Sequence, residues 1–177
     1  MKTKILFLII AFSGMLFLSG CEDTLDVTEN FIYELEVKVF SEDHTFSHAV
    51  LVDMKNEQDL IKKYGDKIKN IQIEEVKYWL TEFDGSETQQ IVQATLSVLN
   101  ENDDVTVITT VKDQLLQPLV NTPTKLDINQ EGIDKMASLI ENSPHQFKLS
   151  FTSTVNETPL NFTLKFSFNI KMTANPL

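Results

Sequence analysis

The sequence predicts a mostly β protein, an antiparallel β-sandwich of roughly eight strands with two short helices. Apolar and polar residues alternate with period two through most of the chain after residue 30, which is the pattern of strands that have one buried face. Helical spacing is confined to two short segments, and most of the predicted strands are joined by connections of hairpin length. Many short strands separated by turn signals favour a sandwich with helices at its edge or ends.

The first predicted elements are two strands and a helix. Strand patterns run from Phe31 to Val39 and from Phe46 to Met54, because apolar side chains recur at every second position. Asn56 is then expected to start a helix, with Asp59 three residues later as a partner resembling that of a capping box. The apolar residues with helical spacing are Leu60, Ile61, Tyr64 and Ile68.

The middle of the chain is expected to form three more strands. The first runs from Ile71 to Leu80, and its apolar parity changes near Glu74-Glu75, which predicts a β-bulge there. The other two cover residues 91–99 and 105–111 and flank the acidic loop of residues 100–104. The face of the former that we expect to be apolar consists of Val92, Ala94, Leu96 and Val98.

A long loop and a second helix follow. Residues 113–124 contain two prolines, and their apolar residues follow neither the strand nor the helix periodicity, so we expect this segment to be the longest loop. Leu126 and Ile128 are expected to form a short strand, and Asn129 is expected to cap the helix. The apolar stripe of this helix is Ile133, Met136, Ala137 and Ile140.

The chain is expected to end in a hairpin. Its strands cover residues 147–155 and 160–170, and Phe166 lies in the middle of the second one. The alternate positions of that strand are polar, beginning with Thr163. The hairpin is therefore expected to have one buried face and one wet face.

The first 20 residues have the three parts of a secretory signal. Lys2 and Lys4 form a basic start, residues 5–18 are almost entirely apolar, and small residues precede Cys21. The 14 apolar positions make roughly 21 Å of helix, which is short of the roughly 30 Å hydrocarbon core of a bilayer. A secretory signal is therefore favoured over a permanent membrane span.

Leu18-Ser19-Gly20-Cys21 resembles the lipobox of bacterial lipoproteins. The resemblance implies cleavage between Gly20 and Cys21 and diacylglycerol on the Cys21 sulfur. It also implies a membrane anchor, since two or three acyl chains hold a protein stably and one chain is marginal. Cys21 is the only cysteine, so no disulfide within the chain and no cysteine nucleophile is available to the folded part.

Residues 21–30 are expected to form an acidic tether before a single β-rich domain over residues 31–177. Glu22 and Asp23, directly after the cysteine, resemble the surface-export signal of small lipoproteins of the Bacteroidetes group. This implies an outer-membrane protein displayed at the cell surface, with a periplasm-facing position as the alternative. Asp23-Thr24-Leu25 also resembles the O-glycosylation site of that group, which implies a glycan on Thr24.

The charge of the chain excludes nucleic acid as a partner. All 15 basic residues are lysines, and two of them lie in the predicted signal, which leaves 13 lysines against 26 acidic residues and a net charge of −13. A body this acidic is repelled by nucleic acid and by anionic lipid. Without arginine it also lacks the planar fork that binds phosphate through two hydrogen bonds.

The histidines and the acidic loop do not predict a metal site. His44 and His48 are four residues apart on a predicted strand, and roughly 13 Å is too far for two ligands of one zinc ion. His145 follows Pro144 at the end of the second helix and is expected to be exposed. The loop of residues 100–104 lacks the glycine and the ligand spacing of a calcium loop, so a solvated hairpin loop is favoured over a weak calcium site.

The usual parts of an enzyme are missing from the sequence. Glu74 and Glu75 are adjacent and point to opposite sides of a regular strand, unlike the carboxylates that flank a glycosidic bond. There is no Gly-x-Ser-x-Gly elbow and no glycine-rich phosphate loop. We therefore expect a protein without catalytic residues and without a metal or other cofactor.

Trp79 and Phe83 are the best sequence evidence for a binding surface. They share a strand face opposite to that of Tyr78, and exposed aromatic rings on a sheet stack on sugars or anchor partners. The alternative is that both faces of this strand are covered, one by the other sheet and one by a helix. The sequence leaves two functional hypotheses open, a module that binds a glycan, peptide or envelope protein, and a structural or assembly subunit that acts through an unpaired strand.

Overall fold

A computed structural model describes residues 26–177, and these residues form two antiparallel sheets of four strands each. The first sheet has the strand order β1-β8-β3-β6, and the second has the order β2-β7-β4-β5. The predicted β-sandwich of eight strands is therefore confirmed. The strands are β1 Val27–Ser41, β2 Thr45–Asp53, β3 Ile68–Thr81, β4 Gln90–Leu99, β5 Val105–Leu115, β6 Thr124–Lys125, β7 Gln146–Val155 and β8 Leu160–Ala174.

Within residues 26–177, three α-helices accompany the sheets instead of the two that were predicted: α1 Met54–Glu57, α2 Asp59–Tyr64 and α3 Gln130–Glu141. The expected start at Asn56 is wrong, because Asp53 caps α1 by accepting a hydrogen bond from the Asn56 backbone N–H at 3.2 Å. Gln58 then has an extended backbone, and α2 begins after it. The prediction for α3 is confirmed, since the Asn129 side chain accepts from the Glu131 N–H and the apolar stripe is buried.

Strand β1 begins earlier than the sequence pattern indicated. Residues 27–30 pair with residues 171–174 at the end of β8, so they belong to the sheet and not to the tether. The alternation that marks the rest of β1 is weak there, but the extended β8 provides hydrogen-bonding partners for the backbone. The tether can therefore extend no further than Asp26.

The bulge predicted in β3 is confirmed, because the register between β3 and β8 shifts between Ile73 and Glu75. The strand predicted at Leu126 and Ile128 is wrong. The short strand is β6, where Thr124 and Lys125 pair with β3, and Leu126 is a buried core residue instead.

The core fills the space between the sheets with alternate side chains of the long strands. The buried side chains of β8 include Leu160, Phe162, Phe166, Phe168, Ile170 and Met172. Thr163 is also buried, at 4% exposure, and its hydroxyl donates to Glu82 Oε2 at 2.8 Å. The expectation that Thr163 lies on a wet face is therefore wrong, because β8 is a central strand and Glu82 lies against it.

Candidate functional site

The predicted anchor and export residues lie outside the described part of the chain. Gly20, Cys21, Glu22, Asp23 and Thr24 all precede residue 26. Cleavage, lipidation, export and glycosylation therefore stay predictions.

Trp79 and Phe83 are not brought together on one surface. Trp79 is half-buried on the outer face of the first sheet, where it lies opposite Lys165 of β8. The strand ends at Thr81, and Glu82 has a φ of +54°. Phe83, beyond this turn, is half-buried and packs against the core. The two rings therefore have different surroundings, although the sequence parity placed them on one face.

The three histidines lie at separate places. His44 is exposed, with Nδ1 3.0 Å from the Val155 carbonyl oxygen, and His48 is exposed on β2. His145 is completely buried, and its Nδ1 lies 2.8 Å from the Ile140 carbonyl oxygen. The expectation that His145 is exposed is wrong, because its backbone, with a φ of +63°, brings the ring back to the end of α3.

The acidic loop after β4 is a hydrogen-bonded turn. The Asn100 side chain accepts from the Asp104 N–H at 2.9 Å and donates to the Asp104 carboxylate at 2.8 Å, and Lys148 pairs with Asp103 at 2.7 Å. Within residues 26–177, no group of three or more acidic or histidine side chains is placed to hold a metal ion. Glu75 pairs with Lys77 at 2.8 Å, and the hydrogen bond from this lysine lowers the pKa of Glu75.

An apolar cavity of about 60 Å³ lies between the two sheets. Its aromatic walls are Phe46, Tyr78, Phe151, Phe162 and Phe166. Burial raises the pKa of Tyr78, whose hydroxyl donates to Gln114 Oε1 at 3.4 Å. Ser153 also lines the cavity, is 2% exposed, and has no hydrogen-bond partner for its Oγ among the described residues.

The size of this cavity argues against a ligand site. An engineered apolar cavity that binds benzene has a volume of about 150 Å³, which is more than twice the volume found here. Binding pockets for drug-sized molecules start at about 300 Å³. At about 60 Å³, the space is a packing gap in the core.

In the described part of the chain, the longest row of unpaired backbone groups is the outer edge of β1. Within residues 26–177 the only strand paired with β1 is β8, so one row of backbone N–H and C=O groups faces away from the sheet. The 15 residues of β1 make an edge of roughly 50 Å at about 3.3 Å per residue. Proteins usually shorten, cover or twist such edges, because they are templates for pairing with another chain.

The two faces of β1 differ in burial. Tyr33, Leu35, Val37 and Val39 point into the core and are buried. On the outer face, Ile32 and Phe40 are 62% and 68% exposed. Each lies opposite an asparagine of β8, Ile32 opposite Asn169 and Phe40 opposite Asn161. Two large apolar side chains are therefore presented to solvent without apolar neighbours on β8.

The outer face between Ile32 and Phe40 is charged. Glu36 forms an ion pair with Lys165 of β8, and the hydrogen bond from this pair raises the pKa of Lys165. Glu34 and Lys38 are exposed on either side of Glu36 and make no ion pair within the described part of the chain. Two opposite charges on this edge are thus left for a partner.

The opposite side of the sandwich is covered. The edge of β3 is paired with β6. In addition, the Asn121 N–H donates to the Leu80 carbonyl oxygen, and the Leu126 N–H donates to the Val76 carbonyl oxygen. On the edge of β5, the Ile108 carbonyl oxygen accepts a hydrogen bond from the Asn129 N–H at 2.7 Å, and α3 packs beside this strand. The loop before α3, which the sequence predicted as irregular, therefore protects both of these edges.

The remaining edge strand, β2, is shorter and more polar. It has nine residues, and its outer hydroxyl groups pair across to β7, with Ser47 Oγ 2.9 Å from Thr152 Oγ1. Leu51, at 60% exposure, is the only large apolar side chain that β2 exposes to solvent. Among the exposed edges of the described chain, β1 therefore offers the longest and most apolar surface.

The sequence did not identify β1 as the site. Its alternating pattern is the same as that of a central strand, so only the strand order reveals the free edge. A partial signal was present in Ile32 and Phe40, which occupy positions in the polar half of the alternation.

The comparisons with known proteins add no family to this geometry. No protein-family model matches the sequence, and no curated protein matches it. Among residues 26–177, no helix is long and apolar enough to span a membrane.

Proposed function

We propose that this protein is a lipid-anchored envelope lipoprotein that acts as an assembly subunit, with the edge of β1 as its joining surface. The lipid is on Cys21, and the protein is a non-catalytic component of the outer membrane. The single observation that carries the proposal is the unpaired edge of 15 residues, which exposes Ile32 and Phe40 on its outer face.

Strand addition uses this geometry directly. An extended segment of another chain would satisfy the free N–H and C=O groups of β1, and its side chains would alternate between the two faces of the enlarged sheet. The core face of β1 is already apolar and buried, so an added strand would extend an existing core at its border. The exposed Ile32 and Phe40 would lose contact with water on the outer face.

The alternative of a ligand-binding module has weaker support. Trp79 is half-buried and is not joined by Phe83, so a sugar-stacking surface would rest on one ring. The cavity between the sheets has a volume of about 60 Å³. A peptide or envelope protein remains compatible with the edge of β1, and it is this class of partner that we propose.

The proposal is tested by placing lysines on the edge. In the double variant Ile32→Lys and Phe40→Lys, charged side chains replace the two exposed apolar ones, and lysines are what natural edges use to prevent pairing. We expect the wild-type chain, extracted from membranes in mild detergent, to migrate on a native gel as an assembly larger than one chain. The double variant should migrate as a monomer.

A matched control is available on the opposite edge. Val105 and Leu115 lie on β5 and are 62% and 42% exposed, so Val105→Lys with Leu115→Lys makes the same chemical change outside the proposed surface. This control should keep the assembly. A wild-type chain that migrates as a monomer, or two double variants that behave alike, would contradict the proposal.

A further inference from the structure

The outer face of β1 is self-complementary. From the N-terminal to the C-terminal end, its exposed central side chains are Ile32, Glu34, Glu36, Lys38 and Phe40. An antiparallel copy of the strand presents the same series in reverse. When Glu36 is at the centre, Phe40 of the copy lies opposite Ile32 and Lys38 of the copy lies opposite Glu34. Both apolar pairs and both ion pairs are then formed at once.

Neighbouring registers lose this match. A register must shift by two residues to keep the same faces of the two strands aligned. A shift in one direction places Glu34 opposite Glu36 and Ile32 opposite Lys38. The shift in the other direction places Glu36 opposite Lys38 but leaves Glu34 opposite Phe40, so both apolar pairs are lost. The register centred on Glu36 is favoured because it alone forms both apolar pairs and both ion pairs, and its one like-charge pair, Glu36 opposite Glu36, is balanced by the lysine that each glutamate binds in its own chain.

We propose that the partner of β1 is a second copy of this chain, paired antiparallel with its two-fold axis at Glu36. This inference rests on the proposed function, because it identifies the chain that the edge accepts. The pairing joins two four-stranded sheets into one continuous sheet of eight strands. It is an isologous contact, in which each copy contributes the same surface.

The buried face of β1 fits the same register. Leu35 lies opposite Val37 of the copy, and Tyr33 lies opposite Val39 of the copy. All four of these side chains are apolar core residues with less than a tenth of their surface exposed. The two cores therefore meet across the junction without a polar group at the centre of the inner face.

The central pair of glutamates is neutralised by each chain's own lysine. Glu36 is bonded to Lys165 of its own chain, and Glu34 acts on the same lysine. The junction therefore brings two lysines together with the two central carboxylates. Glu34 is opposite Lys38 of the copy, and neither of these two residues forms an ion pair within its own described chain.

The register is tested by cross-linking the full chain in envelope membranes. Glu36→Cys should give a covalent dimer on mild oxidation, because opposite Cα atoms in an antiparallel pair are about 4.5–5.5 Å apart, within the range of a disulfide. Glu34→Cys alone should not, since the two copies of that position are separated by roughly 13 Å along the strands. Glu34→Cys expressed together with Lys38→Cys should cross-link again. The wild-type chain is the control, because any disulfide-linked dimer that it forms on oxidation must come from Cys21.

Charge reversal provides a second measurement that does not use thiols. Glu34→Lys or Lys38→Glu alone should weaken association of the full chain in detergent roughly tenfold, because two attractive pairs become repulsive in the symmetric dimer. The two changes together should restore it. Lys112→Glu makes the same charge change on β5, where the lysine is exposed, and should leave association unchanged.

The outcomes separate this inference from the proposed function. A native assembly that depends on Ile32 and Phe40, combined with no covalent dimer from Glu36→Cys, would overturn self-pairing and leave strand addition by another protein. Cross-linking by Glu34→Cys alone would overturn the register. If the wild-type chain forms no assembly and Glu36→Cys forms no dimer, both ideas fail. A dimer from Glu36→Cys, with restored association in the double charge reversal, is the result expected.

Discussion

At the scale of single residues, the alternation along β8 decides which side chains stabilise the fold. Phe166 is 5% exposed, and its ring centroid is 6.0 Å from that of Phe168. Phe166→Ala should lower the free energy of unfolding by about 3–5 kcal/mol, the usual loss when a buried Phe is truncated. Ser167→Ala, on the half-buried outer face, should change it by less than about 0.5 kcal/mol. Urea melts measure both, and equal losses would show that the register is displaced by one residue.

A second residue-scale prediction concerns alkaline pH. Tyr33 is buried, and its hydroxyl donates to Glu57 Oε2 at 2.5 Å. Burial first, and Glu57 second, raise the pKa of Tyr33 above its ordinary value of 10.0. The folded state therefore keeps the proton where the unfolded state loses it. This contribution to stability is fully present below pH 10 and is lost as the pH rises above it.

The expected result is a difference in slope. Above pH 10 the wild-type chain should lose up to about 1.4 kcal/mol of unfolding free energy per pH unit from this one group. Tyr33→Phe has no proton to lose and should decline less steeply. Urea melts at several pH values between about 9 and 11, the window around the tyrosine pKa, measure the two slopes. Parallel curves would show that Tyr33 does not titrate differently in the two states.

Burial of individual residues could be predicted from the sequence only where a strand is regular. The alternation correctly placed Tyr33, Phe147 and Phe166 in the core. It failed for Thr163 and His145, whose burial depends on Glu82 and on the turn after α3. Those contacts join segments that no local period connects, so the sequence pattern contains no signal for them.

At the scale of elements, the fit of α3 against β5 depends on a glycine. A Cβ at Gly132 would lie 2.3 Å from the Val107 carbonyl oxygen and 2.7 Å from Ile108 Cα. These are backbone atoms of a strand, which cannot rotate away. Gly132 therefore allows the first turn of the helix to lie directly on the sheet edge that it covers.

Gly132→Ala should destabilise the protein by about 1–3 kcal/mol, the usual range for overpacking. In an ordinary helix the same substitution stabilises by about 0.5–1 kcal/mol, so the sign of the change is the test. Ser138→Ala, at an exposed position of the same helix, is the control and should have a small effect. Thermal melts of the three proteins suffice. A stabilised Gly132→Ala variant would mean that α3 does not approach β5 this closely.

The existence of most elements could be predicted, but their positions in the sheets could not. The pattern located the long strands, the bulge in β3 and the cap of α3. An edge strand and a central strand show the same alternation, however, and β1 pairs with β8 from the far end of the chain. The candidate site is a consequence of that strand order, which is why the sequence pointed to Trp79 and Phe83 instead of the edge of β1.

At the scale of the whole molecule, the predicted tether is short. Lys69 pairs with Asp26 at 2.9 Å, which ties the start of the described chain to β3. Only four residues separate Asp26 from Cys21, and the five steps from one Cα to the next reach roughly 17 Å when extended. A lipid on Cys21 would therefore hold the domain close to the membrane surface.

This short reach also constrains the proposed dimer. In the register centred on Glu36, the two copies of Val27 are 18 residues apart along the paired strands, or roughly 60 Å. Both anchors reach one membrane only if the joined strands lie along its surface, with the two-fold axis perpendicular to it. The lipid anchor and the self-pairing of β1 are therefore geometrically compatible.

The lipid anchor itself is a whole-molecule prediction. Cells grown with radiolabelled palmitate should yield labelled protein, because the lipobox ends at Cys21 and acyl chains are needed to hold so acidic a body at a membrane. Cys21→Ser should be unlabelled, and it should leave the membrane fraction or keep its signal uncleaved. An unlabelled wild-type chain would contradict the lipoprotein proposal.

The last prediction concerns the side of the membrane on which the protein is displayed. Glu22 and Asp23 precede the described fold, so replacing both with alanine should leave the melting temperature unchanged. If these charges act as an export signal, the double variant should move from the cell surface to the periplasmic side. The measurement is protease treatment of intact cells, followed by detection of the folded domain with an antibody. Lysed cells are the control for a domain that resists protease.

Two results would contradict this prediction in different ways. Wild-type protein that is protected in intact cells, but cleaved in lysed cells, would place the protein inside and refute surface display. A double alanine variant that remains fully accessible would refute the role of Glu22 and Asp23 alone. In that case the four residues between Cys21 and Asp26 would still leave Thr24, Leu25 and the fold itself as the determinants of display. If the double variant does move to the periplasmic side, Glu22→Ala alone separates the two effects, because it removes one charge and keeps the Asp23-Thr24-Leu25 glycosylation pattern.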